Sequence, residues 1–330
     1  MKGMILVAGE GSRARPLTEF YAKPALPIPG GTILSTLLAQ LKANGISDAA
    51  LNLHHLPHTI MDAVENNPLW NISVTPFDEP VLAGSGGGFY RIRDFFENSD
   101  FIILNGDTIT DADLHAMADY HKKQKNMVTF LAVPDHSGSV RVIDTDDSGR
   151  ITAVRKQPKD GAGGRIWQFC GVMAVSPDMF DFFPDKQAID LFDDVIIPLL
   201  QKGRFRGSVY APEFTYLEFG TPEDYYSNCF KYLQIFFPKS ETYAEFRNIK
   251  GNSVHIEACI EPSADISNSY IGKGSWIEND VTVRESIIYK SAISAGSAIE
   301  KSIILADYIP EKFTVSNCIV LPDLRKIGIK

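Results

Sequence analysis

The sequence predicts an α/β fold: a Rossmann-like, mainly parallel sheet covered by helices, followed by a parallel β-helix. Three observations carry the expectation. Short apolar runs alternate with helical periods from Met4 to about Phe237, apolar residues recur every five or six positions after Lys250, and the chain has 330 residues. A single core stops growing near ~250 to 300 residues, so that length asks for two domains. The expected division is 1–240 for the α/β domain, 241–250 for a linker and 251–330 for the repeat.

Taken in order, Met4–Ala8, Ala49–Leu53, Ile72–Pro76, Phe101–Leu104 and Val128–Val133 read as strands. They are short, apolar and bounded by turn residues. Between them Thr32–Asn44, Leu56–Asn66, Gly86–Phe96 and Asp111–Gln124 carry helical periodicity, and Pro222–Phe236 closes the series. Such alternation implies βαβ units, whose ligands bind beyond the carboxyl ends of the strands. From Ile260 the apolar steps run through Ile266, Ile271, Ile277, Val283, Ile288, Ile293, Ile299, Ile304, Ile309, Val315 and Val320. Ile260, Ile277, Ile293 and Ile309 are separated by 17, 16 and 16 residues, a constant length for one coil of three short strands. Ser, Ala, Gly, Asn and Asp fill the corners, as hexapeptide repeats require. A sandwich of short strands would not keep so even a step.

Composition narrows the function. Apolar residues make up 44% and charged residues 22% of the chain, which excludes disorder, collagen-like repeats and coiled coil as the main theme. Lys+Arg 32 against Asp+Glu 41 leaves a net charge of -9, the wrong balance for a nucleic-acid partner, so any phosphate ligand must be met locally. No apolar run approaches the ~18 residues of a membrane span, and Met1–Gly9 is too short for a signal peptide, so a cytoplasmic protein without a membrane partner is expected. Cys170, Cys229, Cys259 and Cys318 lie far apart without a CxxC pair, which suits reduced packing residues and gives no zinc spacing.

Gly9-Glu10-Gly11-Ser12-Arg13-Ala14 follows the first strand as a formal GxGxxA. The dinucleotide motif needs a helix that begins inside the glycines, and Pro16, Pro24, Pro27 and Pro29 break the segment before one can grow. No GxxxxGK[ST] occurs, which removes the ordinary P-loop. What remains is an extended loop whose backbone N–H groups can close on phosphate oxygens beside Arg13, Arg15 and Lys23, an arrangement suited to a nucleoside triphosphate. A glycine-rich turn with solvated basic residues is the alternative.

Val7-Ala8-Gly9-Glu10-Gly11-Ser12-Arg13-Ala14-Arg15-Pro16-Leu17-Thr18, followed by Lys23-Pro24 and Pro27, resembles the signature of the sugar-1-phosphate nucleotidyltransferases. Ser12 stands where that family often has Thr, and Ala14 where it often has Leu. Asn52-Leu53-His54-His55-Leu56, Glu79-Pro80-Val81-Leu82-Ala83-Gly84-Ser85-Gly86-Gly87, Leu104-Asn105-Gly106-Asp107 and Phe219-Gly220-Thr221-Pro222-Glu223-Asp224-Tyr225 follow in the family's order. The likeness is greatest to the bacterial mannose-1-phosphate guanylyltransferases, which implies a left-handed β-helix and the reaction of GTP with mannose-1-phosphate to GDP-mannose and pyrophosphate. UTP or dTTP with another sugar-1-phosphate remains open, as does a weakly active, nucleotide-sugar-binding regulatory subunit.

The resemblance implies site residues. Ala8, Gly9, Gly11, Ser12, Arg13, Glu79, Gly84, Ser85 and Gly86 would bind the nucleotide, and Arg13, Lys23 and Asp107 would be catalytic. Asp107 and Glu218 would hold Mg²⁺, and Asn105, Lys156, Gly171 and Glu218 would meet the sugar phosphate. Two departures stand out: Glu218 replaces the usual Asp before Gly-Thr-Pro, and Lys156-Gln157-Pro158 replaces Glu-Lys-Pro, so that the family's Glu and Lys are both absent there and Lys156, Lys159 or Arg165 would have to compensate. Because a phosphate monoester has a second pKa near ~6, the nucleophile is already ionised and needs no general base. Catalysis then comes from alignment and charge neutralisation. Other motifs carry less: Pro57 interrupts any helical face for His54, His55 and His58, and Asp144–Gly149 mimics a calcium loop that would place Arg155 where Glu is required. The repeat has only His255, at its start, against an acyltransferase activity, and its open end suggests a homo-oligomer joined through the β-helix.

Overall fold

The computed structural model describes residues 1–65, 72–135, 141–155 and 165–329. The chain forms two compact units, Met1–Glu10 with Leu34–Tyr216 and Gly11–Ile33 with Leu217–Lys330, and the stretch expected as a linker, 241–250, lies inside the second. From Gly11 on, the glycine-loop segment thus belongs to the same unit as the C-terminal repeat.

The first unit is built on a nine-stranded sheet. Its parallel part consists of β1 (Lys2–Leu6), β2 (Asp48–Leu53), β3 (Ser73–Asp78) and β4 (Phe101–Asn105), in the order β4-β1-β2-β3. Phe101, Ile102, Ile103 and Leu104 are all fully buried, as a strand covered on both faces requires. The helices α1 (Ile33–Ala43), α2 (Pro57–Glu65) and α4 (Leu114–Gln124) come where periodicity put them, while α3 (Gly84–Arg91) starts two residues earlier than expected and gives way to a 3₁₀ turn at Arg93–Phe96. Asp113 caps α4 by accepting the Ala116 N–H at 2.8 Å, which explains why the helix starts three residues after Asp111.

The other half of the sheet is antiparallel at its seam. After β5 (Val128–Pro134), β6 (Val142–Thr145) and β7 (Ile151–Arg155), the long β8 (Arg165–Val175) runs antiparallel to β4, β5 and β6. Then β9 (Gly207–Tyr210) pairs in parallel with β5. The calcium-like stretch is the β6–β7 hairpin: Asp146 Oδ1 accepts the N–H groups of Ser148 and Arg150, and Arg155 makes a two-pronged ion pair with Asp144. A ring cluster of Phe89, Phe96, Phe101, Phe180 and Phe183 fills the space under α3, with Phe96 and Phe101 stacked at 3.7 Å.

In the second unit, α6 (Pro222–Ile235) opens on a capping box between Thr221 and Asp224, and α5 (Ile197–Gln201) is the short helix before it in the chain, in the first unit. The repeat is a parallel β-helix of three sheets. Its apolar steps pair as Cα partners: Ile260 with Ile277, then Ile293, then Ile309; Ile266 with Val283, then Ile299, then Val315; Ile271 with Ile288, then Ile304, then Val320. Along one corner Ser269, Ser286 and Ser302 form a buried ladder: each hydroxyl accepts the N–H of the residue one coil on, and each donates to the carbonyl two residues back. His255 is buried with Nε2 3.1 Å from Glu245 and Nδ1 accepting the Glu257 N–H, so both ring nitrogens serve the fold.

Candidate active site

In the first unit, the carboxyl ends of β1 and β4 lie side by side. Leu6 pairs with Asn105, and the Gly106 N–H donates to Leu6 O at 3.0 Å. Gly9 therefore leaves the sheet beside the turn that carries Asp107, and a Cβ on Gly9 would stand in open space. Asp107 is half-buried, and the Thr108 hydroxyl donates to its Oδ1 at 3.4 Å. Opposite, Gly171 on β8 has φ +75°, and a Cβ there would lie 2.8 Å from Thr108 Oγ1 and 3.2 Å from Asn105 Cβ. One sheet edge thus collects Ala8, Gly9, Asn105, Asp107 and Gly171.

Glu79 is held from both sides by protein groups. It is 2% exposed, Oε1 accepts from Asn52 Nδ2 at 2.9 Å, and Oε2 accepts from the Ala83 N–H at 3.1 Å. Asn52 in turn accepts the Val7 N–H at 2.8 Å, which ties the end of β1 to Glu79 and the start of α3. The glycine run approaches protein: a Cβ on Gly84 would meet Ile189 O at 2.6 Å, one on Gly86 the Leu191 backbone, and one on Gly88 Glu79 Oε1. The Gly86 N–H donates to Ile189 O, and the Ser85 hydroxyl is engaged by the Leu191 N–H and Asp190. The close packing gives Glu79, Gly84, Ser85 and Gly86 a structural task, and their contact with a nucleobase rests on the resemblance alone.

In the second unit, Gly11 has φ +62° and its Cβ position lies 2.7 Å from Thr18 Cγ2, so this glycine is demanded by the turn. The Thr18 hydroxyl donates to Gly11 O at 3.0 Å, and a short 3₁₀ turn, Ser12–Ala14, follows with Ser12 and Arg13 exposed. Lys23 is 9% exposed, far more buried than a lysine ordinarily is. Arg13 Nη2 stands 3.9 Å from Glu218 Oε1, with Arg13 largely exposed and Glu218 half-buried, and Gly220 sits against Glu218 and Asp224. Lys156, with Gln157 and Pro158, lies outside the described residues.

The model of the family described as nucleotidyl transferase matches residues 2–234. The chain belongs to that family. It is 28% identical over 240 residues to a UTP–glucose-1-phosphate uridylyltransferase of Synechocystis, covering 68% of this chain and 62% of that protein. It is 26% identical over 304 residues to the mannose-1-phosphate guanylyltransferase of Mycobacterium tuberculosis, covering 90% of this chain and 82% of that one. Among solved structures, HddC from Yersinia pseudotuberculosis has the same fold, with TM-score 0.59, 22% identity, 70% of this chain and 99% of that chain covered.

For a nucleotidyl transferase the donor set around Asp107 fits a hard cation. Mg²⁺ takes one or two carboxylates and fills its other positions with phosphate oxygens and water, so it needs no cage of protein ligands. Among the described residues no group of three or more His, Cys, Asp and Glu side chains could form one, His54, His55 and His58 included. His54 Nδ1 instead meets Glu79 O at 2.7 Å. Asn52 and Thr108 are the site residues that sequence reasoning missed. Asn52 stood within a quoted motif, and a polar residue in an otherwise apolar strand was its signal.

Proposed function

We propose that this nucleotidyl transferase moves a nucleoside monophosphate from an NTP to a sugar-1-phosphate and releases pyrophosphate, with GTP and mannose-1-phosphate as its substrates. The observation that carries the reaction class is the shared sheet edge where the glycine loop leaves β1 beside Asp107 at the end of β4. The base and sugar are favoured by the guanylyltransferase likeness, which extends over 90% of the chain and so includes the repeat.

Asp107, with Glu218 as second carboxylate, would hold Mg²⁺, which when bound neutralises phosphate charge. The backbone of Ala8, Gly9, Gly11 and Ser12 follows the phosphates, Arg13 neutralises the departing pyrophosphate, and Lys23 holds the phosphates near the attacked phosphorus. The sugar-1-phosphate oxygen attacks that phosphorus already ionised, so no residue has to take a proton. Asn105 and Gly171 meet the sugar phosphate, with Glu218 added by resemblance and Lys156 standing in for the family's missing lysine. Glu79 acts through the backbone it holds, and Gly84, Ser85 and Gly86 through the shape of the segment beside the base. We further place the enzyme in the cytoplasm, as a homo-oligomer joined through its β-helix.

The purified protein is incubated with each NTP, a panel of sugar-1-phosphates and Mg²⁺, and pyrophosphate is measured. Release with GTP and mannose-1-phosphate, well above an Asp107→Ala control, is expected. No release with any pair would sink the reading, and nucleotide-sugar binding without turnover would replace it by a regulatory subunit.

A further inference from the structure

Lys23 is followed and preceded by anchors that come from the far end of the chain. Four residues after it, the Pro27 carbonyl accepts the Tyr225 hydroxyl at 2.6 Å. Three residues further, the Gly30 N–H donates to the Tyr270 hydroxyl at 2.9 Å. Four residues before it, Glu19 pairs with Arg325 at 2.7 Å, and the same guanidinium lies over the Phe20 ring at 5.4 Å. Tyr225 belongs to α6, Tyr270 to the first coil of the β-helix, and Arg325 to the stretch that follows its last coil.

The two tyrosines are built into their places. Tyr225 is 0% and Tyr270 3% exposed. Tyr270 packs edge-on to Phe237 at 5.6 Å and next to Tyr289 at 6.0 Å, whose hydroxyl meets Cys229 Sγ at 3.4 Å. Gly30, at φ +83°, has no room for a side chain, since its Cβ position lies 2.5 Å from Thr242 Oγ1 and 2.8 Å from Phe237 Cε2. A buried polar group left without its partner is costly, so each contact fixes the chain where it touches. The Lys23–Ala25 turn lies between those points, with the Leu26 N–H returning to Lys23 O.

We propose that Tyr225 and Tyr270 are positioning residues for Lys23, with Arg325 as the exposed third anchor, so that the C-terminal repeat sets where the phosphate-binding ammonium stands. The proposal rests on the reading of Lys23 as a phosphate ligand. The repeat then takes part in turnover through the backbone of Glu19–Gly30, without touching substrate.

The test is a double-mutant cycle on the full chain. Tyr270→Phe and Tyr225→Phe keep the rings and remove one hydroxyl each. Each is expected to lower kcat/KM for the NTP about tenfold, since small misplacements of a catalytic group have effects of this order or larger, while KM for the sugar-1-phosphate stays within twofold. In a Lys23→Ala background the same substitutions are expected to change kcat/KM less than twofold. An equal loss in both backgrounds, or no loss in either, overturns the proposal. If the unmodified protein shows no turnover with any substrate pair, the functional reading fails by itself, and amide hydrogen exchange then decides. Protection over residues 19–30 is expected to fall at least tenfold in Tyr270→Phe with the β-helix core unchanged, and unchanged protection there overturns the positioning role.

Discussion

Gly171 shows how tightly the turn that carries Asp107 is packed. Its φ of +75° is one that residues with a Cβ adopt only under strain, and a methyl group there would press on Thr108 Oγ1 at 2.8 Å and Asn105 Cβ at 3.2 Å. The turn carrying Asp107 would have to move. Gly171→Ala is therefore expected to lose about 1–3 kcal/mol of stability, from strain of the kind stored at unusual backbone angles, and at least tenfold in kcat/KM. Thermal melting and the pyrophosphate assay check this, and a variant with unaltered turnover would show that the β8 glycine does not shape the site. Gly171 was expected from the resemblance alone, whereas the packing of Glu79 was not legible at all. Nothing in a linear sequence says that Asn52 and the Ala83 N–H would occupy both of its carboxylate oxygens, because those partners meet only when β2 and the start of α3 come together.

At the scale of elements, legibility follows contact range. The β-helix could be read because each coil repeats the last, so the period of the apolar residues is also their pairing, as in Ile271, Ile288, Ile304 and Val320. The parallel strands β1 to β4 were legible for a related reason, since each is a local apolar run. The antiparallel course of β8 was not, nor the grouping of Gly11–Ile33 with the repeat, because both depend on partners far away in sequence. The serine ladder was visible only as small residues at corners. At its middle rung Ser286 Oγ accepts from the Ser302 N–H while its hydroxyl donates to Arg284 O. Ser286→Ala leaves that buried N–H unmet and is expected to cost about 1–3 kcal/mol, lowering the urea midpoint with m unchanged. Ser316→Ala, an exposed position, is the matched control and is expected to change little.

For the molecule as a whole, burial decides which titratable groups answer to solvent. Cys170, Cys229 and Cys318 are buried and Cys259 is exposed, so a disulfide reagent at mild alkaline pH is expected to label one thiol per native chain and all four after denaturation. Labelling of two or more native thiols at comparable rates would contradict this packing. The same burial sets the pH range of stability. Burial pushes the Cys229 thiol from its ordinary 9.0 up to about 12, and burial likewise raises Tyr225, Tyr270 and Tyr289 around it. Above pH 9 the unfolded chain releases a proton that the native state retains to about 12, so the native state binds more protons and stability falls as pH rises through that window. On the acid side burial lowers His121 from its ordinary 6.5, against the opposing fields of Asp100 and Asp178. Its Nδ1 meets the Thr129 hydroxyl, and among the described residues no hydrogen bond reaches the buried Nε2. Below pH 6.5 the unfolded chain takes up a proton that native His121 refuses, so stability there falls as pH falls. Each group contributes at most about 1.4 kcal/mol per pH unit within its window. The urea midpoint is therefore expected to stay level between pH 6.5 and 9 and to decline on both sides, with a shallower alkaline limb in Cys229→Ala. A midpoint that held steady from pH 9 to 11, or an alkaline limb unchanged in that variant, would place the titrating groups elsewhere.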